Sequence, residues 1–354
     1  MKINLDKLLK IQIVVLIVVL IIVAVILCYT LYLILNQDRV DLASDIIQED
    51  KIEVNKMSRI IDGVIVEAGK ENLFPVGVMI DNHPDSRPNY GLSLARVVYE
   101  TYVENGSTRF LTFFTPDIKA SSTIEKIGPV RSTRPYFVLI ADEYDALLAH
   151  AGGSVQALDD IETLGVNNLD EIAWWGPDYF WRVYSRPEPH NLFTSEYNLA
   201  RAAADWELVE KTPVYTGWKF EPEIDSSDLK PVASIEVDFS VGDDYDVEYR
   251  YEADSNSYFR FQSGEAHIDA LNNGQIKVKN VVKQYINQPR VIDEAGRIVM
   301  DLIGSGEAVV YRDGVEISGR WKKMNVDSRT VFYDKFGDEI EFQLGSIWVE
   351  IMVE

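Results

Sequence analysis

Three of the four histidines, His83, His150 and His190, fall in one stretch of the chain together with Arg87, Arg109, Arg131, Arg134, Arg182 and Arg186. The formal charge of the whole chain is −23, so these arginines stand out against an acidic background. A guanidinium stays charged at any working pH and presents a planar fork that matches carboxylate or phosphate. Several of them sit beside prolines, in Gly128-Pro129-Val130-Arg131-Ser132-Thr133-Arg134-Pro135 and in Arg186-Pro187-Glu188-Pro189-His190-Asn191, which stiffens the loops that carry them. The pattern reads as an anion pocket built from Asp81, Asn82, Arg87, Glu104, Arg109, Arg131, Arg134, Arg182, Arg186 and Asn191. His150 and His190 would orient the ligand, or act as general bases if the site is that of an envelope hydrolase or transferase. The competing reading pairs the arginines with Glu100, Glu104, Asp142 and Asp145, giving a non-catalytic structural scaffold.

Other chemistries are less well supported. The three histidines could meet a metal, with Asp81 as a further ligand, but none of them are spaced i, i+4 and no His-Glu-x-x-His occurs, so neither a metal nor a cofactor is read from the sequence. Gly152-Gly153-Ser154-Val155-Gln156 lacks the second glycine of a nucleophile elbow, and Ser154 reads better as a helix N-cap. Glu100 and Glu104 share one face of a strand, a weak basis for paired-carboxylate chemistry. Nucleic acid is excluded as a partner by the acidity, since binding it requires neutralising phosphates. The single cysteine, Cys28, allows no intrachain disulfide.

Stepping outward to the elements, residues 11–35 form an uncharged, almost wholly apolar run long enough to cross a bilayer once. Lys2, Lys7 and Lys10 precede it and an acidic flank follows it, which predicts a cytoplasmic tail over 1–10 and an outward-facing remainder. The run is too long for a cleaved signal peptide and no small-residue cleavage site follows. Cys28 lacks the small preceding residue that lipid attachment needs. Residues 36–72 read as an acidic stalk. From 73 to 217 strand and helix patterns mix: a buried strand over 74–80, a hairpin turning at Asn105-Gly106, helices from Pro135, from Ser154 and from Thr194 or Ser195, and a strand over 146–150. This predicts an α/β or α+β domain. From 218 to 354 short β-branched and aromatic segments alternate with turn signals, predicting a mainly-β domain that could bind a protein partner.

Several motifs are more specific. Pro75-Val76-Gly77-Val78-Met79-Ile80-Asp81-Asn82, Val98-Tyr99-Glu100, Thr108-Arg109-Phe110, the Gly128–Tyr136 loop, His150-Ala151-Gly152-Gly153-Ser154 and Arg186–Asn191 occur in order. With Asn280-Val281-Val282, Gly304-Ser305-Gly306, Gly319-Arg320-Trp321 and Gly345-Ser346-Ile347-Trp348 further on, the chain resembles the YerB-like bacterial envelope proteins, DUF3048. The resemblance implies a two-domain extracytoplasmic protein held at the bacterial cytoplasmic membrane, with no established biochemical role. Members are often lipoproteins, whereas a spanning run serves here. An anionic wall or lipid-linked ligand suits both the location and the arginines.

Overall fold

A computed structural model describes residues 5–49, 55–120, 124–222 and 231–354. The chain divides into two compact units, Met1–Asn55 and Lys56–Glu354. The first is dominated by one helix, α1 (Leu5–Glu49). Within it Gln12–Ile34 has mean hydropathy 3.4 and none of its surface is buried against protein. At 1.5 Å per residue that stretch is about 35 Å long, enough to cross a hydrocarbon core of about 30 Å. Thr30 Oγ1 donates to Leu27 O at 2.9 Å, so the hydroxyl inside the apolar run is satisfied by the helix itself. The first four residues of the expected tail and residues 50–54 of the expected stalk lie outside the described residues, as do 223–230.

The stretch 36–72, expected as a stalk with room for helix, is helical at its start and part of the second unit at its end. The helix continues to Glu49, and the chain from Lys56 belongs to the second unit. Ile61 is 1% exposed, and Arg59 pairs with the buried Asp62 at 2.6 Å. Scattered Ile and Val in a polar stretch were enough to join the core.

The second unit is built on a ten-stranded mixed sheet. Five strands come from its first half: β1 (Val76–Asp81), β2 (Val97–Val103), β3 (Ser107–Phe114), β4 (Leu147–His150) and β5 (Asn167–Asp170). Between them lie α2 (Pro135–Glu143) and α3 (Val155–Leu164), and α4 (Glu196–Asp205) follows. The second half adds a smaller sheet containing β6 (Ser234–Val237), β7 (Val247–Glu252) and β8 (Ser257–Gln262). It then contributes β9 (Asn280–Ile286), β10 (Gly304–Arg312), β11 (Val315–Lys323), β12 (Val331–Asp334) and β13 (Ile347–Val353) to the large sheet. The strand order is β12-β11-β10-β9-β13-β2-β3-β1-β4-β5. The first half is thus mixed α/β and the second mainly β, as the patterns predict.

A boundary at 217/218 does not divide this sheet. The last strand, β13, inserts between β9 and β2 and pairs with both in parallel, Ile347 opposite Asn280 and Val97. Every residue of β2 is buried, so the seam between the halves is core rather than surface. Local signals hold well elsewhere. Asn105 and Gly106 take positive φ angles of 65° and 63°, which is why the β2–β3 hairpin turns there. Ser154 Oγ accepts from Ala157 N at 3.2 Å and Ser195 Oγ from Asn198 N at 3.2 Å, capping α3 and α4.

Candidate functional site

Strands β1, β4 and β5 run parallel and end at Asp81, His150 and Asp170. Sheets of this kind place ligands in the crevice beyond the carboxyl ends of their strands. The proline-stiffened segment 127–133 crosses this edge. Asp81 N donates to Pro129 O at 2.9 Å, Arg131 N to Met79 O at 2.9 Å, and Ala151 N to Arg131 O at 3.1 Å. On its other side Val130 N donates to Leu192 O at 2.7 Å, which draws the 186–191 loop against it. Two loops far apart in sequence are therefore stitched to one strand end.

Asp81 is the centre of the resulting cluster. Its Oδ2 accepts from Arg131 Nε at 3.1 Å and from His190 Nδ1 at 2.7 Å, and its Oδ1 accepts from His83 N at 3.2 Å. Burial alone would raise the carboxyl's pKa, but Arg109, Arg131 and the His190 and His83 hydrogen bonds outweigh it, and the pKa lies below its ordinary value. A carboxylate can only accept, so the proton of the shared bond sits on His190 Nδ1 and leaves Nε2 as the basic atom. His83 stacks on the His190 ring, with centroids 4.8 Å apart and planes 16° from parallel.

Arg109 and Arg134 complete the charge balance. Arg134 grips Glu104 with two hydrogen bonds, and the Glu104 carboxyl is lowered to about 2: burial opposes the shift, but the bond to and charge of Arg134 win. Arg109 is 5% exposed and donates from Nη1 to Ser132 O at 2.7 Å, yet its Nε has no partner. Burial and the neighbouring Arg134 push its pKa down to about 10 despite Asp81 and Glu104. Three guanidiniums, Arg109, Arg131 and Arg134, thus face two carboxylates, Asp81 and Glu104. The cluster includes a buried N–H, that of Arg109 Nε, with nothing to donate to.

The remaining expected site residues lie in other arrangements. Arg87 donates from Nε to Asn82 Oδ1 at 3.2 Å, and Asn82 donates onward to Glu100 Oε1 at 2.9 Å, so both belong to a buried polar hub. Arg182 bonds Asn191 Oδ1 at 3.0 Å and Glu171 at 3.0 Å. Arg186 is held by the carbonyls of Ser86 at 2.6 Å and Pro88 at 2.8 Å, above the Tyr90 and Phe193 rings. These three arginines pin loops, though through none of the carboxylates Glu100, Glu104, Asp142 and Asp145 that the scaffold reading names. His150 is wholly buried; its ring nitrogens lie 2.8 Å from Gly152 O and 2.7 Å from Asn168 Oδ1. Both nitrogens are thus engaged within the protein, away from solvent. Gly152 itself needs its φ of 63°, and a Cβ there would come within 2.9 Å of Ile172.

Sequence reasoning passed over Asp85 and used His83 only as an unplaced metal candidate. A His-Pro-Asp turn gives no sign on its own that a loop a hundred residues later will lie on it. It also passed over Arg260, which is fully buried and forms an ion pair with Glu100.

Comparison with known proteins agrees with this layout. Residues 63–208 match the family described as "Protein of unknown function (DUF3048) N-terminal domain" and residues 235–349 match its C-terminal domain. The chain is 28% identical over 336 residues to the Bacillus subtilis protein named "Putative lipoprotein YerB", covering 92% of this chain and 93% of that one. A crystal structure of YerB from Bacillus subtilis superposes with a TM-score of 0.72 at 28% identity, over 84% of this chain and 96% of that one. The apolar helix and the lipoprotein relative both point to membrane association.

Proposed function

This chain belongs to the DUF3048 family of YerB-like proteins, and from that premise we propose a membrane-anchored, extracytoplasmic protein that binds an anionic envelope-related ligand through Arg109, Arg131, Arg134 and His190. The observation that carries the reading is the Arg109 guanidinium, buried with an unpartnered Nε in a cluster holding more positive than negative groups. A buried donor left without a partner is destabilising by about 1–3 kcal/mol, and an oxyanion would relieve it. Arg134 is also the N-cap of α2 and makes no side-chain capping bond, so the positive end of that helix dipole adds to the same field.

The anchor is the single span within α1, with the amino terminus inside and the folded unit outside, following the lysines before the span and the acids after it. A spanning helix does what a lipid does for a lipoprotein relative. Cys28, seven residues before Leu35, lies inside the span rather than after a cleavable leader. A thermal-shift screen of the full-length protein against phosphorylated and carboxylated wall precursors tests the ligand reading. Stabilisation by at least one of them, lost in Arg131→Ala, is expected; no shift with any, or an unchanged shift in the variant, overturns it.

A second reading, hydrolysis or group transfer on such a ligand, is favoured by one contact. The 2.7 Å bond from His190 Nδ1 to Asp81 fixes the tautomer that leaves Nε2 as a general base. His190 rather than His150 is the residue suited to that role.

A further inference from the structure

His190 Nε2 makes no protein hydrogen bond among the described residues, and two more ligating side chains flank it. His83 is stacked on the ring and Asp85 lies beside His83, Nδ1 to Oδ2 at 3.6 Å. One ligand atom from each of His83, Asp85 and His190 lies within 4.8 Å of the other two, the only such trio among the described residues. A zinc-sized ion needs ligand atoms about 3.3 Å apart, given metal–ligand bonds of about 2.0–2.1 Å. Closing that gap falls mainly to Asp85, whose side chain is 68% exposed, and requires the His83 ring, 46% exposed, to give up the 3.2 Å bond that its Nδ1 accepts from Asp85 N.

The surroundings are those of a ligand set rather than of a chance surface pair. Metal-bound histidines almost always donate their other ring N–H to a carboxylate, a backbone carbonyl or a water, and here the carboxylate of Asp81 already accepts from His190 Nδ1 at 2.7 Å. Asp81 is in turn held by Arg131. The least mobile ligand is thus oriented before any ion arrives. Two imidazoles and one carboxylate suit the zinc, cobalt and nickel class over calcium or magnesium, which prefer oxygen alone. Three protein ligands also leave a coordination position open.

We propose that His83, Asp85 and His190 bind one divalent transition-metal ion, with Asp81 as the outer partner of His190. The site shares His190 and its partner Asp81 with the anion reading, whereas among the described residues the His83 imidazole and the Asp85 carboxylate make no bond to the arginines, so variants at His83 and Asp85 test the metal site apart from the anion site. Full-length protein, purified in detergent without an affinity tag and stripped by chelator, is titrated with Co²⁺ while its visible absorption is followed. One Co²⁺ per chain is expected, displaced by Zn²⁺. His83→Ala and Asp85→Asn, both at exposed positions, should each weaken binding at least about tenfold, and Asp81→Asn by about 10–100-fold. Absence of saturable one-to-one binding, or an affinity unchanged in both exposed variants, overturns the site.

Discussion

Asp81 shows how much one side chain can organise. Its carboxylate receives an arginine, a histidine and a backbone N–H, and each donor comes from a different loop. Arg131 and His190 were recognisable as candidates because arginine and histidine beside prolines in an acidic chain are conspicuous. Which arginines would converge was not recognisable: Arg87, Arg182 and Arg186 look the same in sequence, and only the chain path sends them to Asn82, Glu171 and backbone carbonyls instead. Glu104 supplies a residue-level test. Its folded pKa of about 2 lies below the ordinary value of 4.5, so its ion pair stabilises fully above pH 4.5 and that contribution is lost as pH falls toward 2. Melting temperatures from pH 6 down to pH 2.5 should fall more steeply for the wild type than for Glu104→Gln. Parallel curves would show that the Arg134–Glu104 pair contributes nothing to folding.

At the scale of elements, local rules located what local rules govern. Pro135 starts α2, Ser154 and Ser195 cap their helices, and Asn105-Gly106 turns the hairpin, all with the expected geometry. Ser154→Ala should therefore lower unfolding free energy by about 0.5–2 kcal/mol, measured by urea denaturation, while Ser154→Asp should retain most of the stability. Equal losses in both would mean that the hydroxyl acts by packing and not as a cap. Two strands of the ten-stranded sheet escaped the sequence reading. β5 is Asn167-Asn168-Leu169-Asp170, with one apolar residue, and pairs in parallel with β4 because Leu169 is fully buried beneath it. β11 runs Val315–Lys323 with half-covered and exposed residues alternating up to Arg320, Trp321 and Lys323 buried beyond, and Gly319 in the middle, where the Tyr333 carbonyl of the neighbouring β12 approaches too closely for any side chain. Tertiary pairing recruits such segments, and nothing within them announces it.

The whole molecule departs furthest from a reading of consecutive domains. Inserting β13 beside β2 brings Glu350 opposite Glu100, two buried acids on neighbouring strands. Arg260, itself fully buried, forms the ion pair with Glu100, and Tyr249 donates its hydroxyl hydrogen to Glu350. One cation between two carboxylates leaves the second acid protonated: burial first, then repulsion from Glu100, push Glu350 up to about 8. The folded protein therefore holds a proton between pH 4.5 and about 8 that the unfolded chain does not. The contribution is fully present below pH 4.5 and is lost as pH rises through 8, with a slope of at most about 1.4 kcal/mol per pH unit. Unfolding free energy should fall from pH 5 to pH 8.5 in the wild type and stay flatter in Glu350→Gln; matching slopes would place the buried proton elsewhere. This hub joins residues more than two hundred positions apart, so no local pattern could announce it. The same long-range assembly sets Arg109 and Arg131 around Asp81, where the proposed function requires them to hold an anion. The most direct test is calorimetric titration of the full-length protein with inorganic pyrophosphate, beside Arg131→Ala and, as a charge-matched control on the far strand β7, Arg250→Ala. Saturable binding that survives Arg250→Ala and drops at least about tenfold in Arg131→Ala is the predicted result. No binding, or equal losses in the two variants, would contradict it.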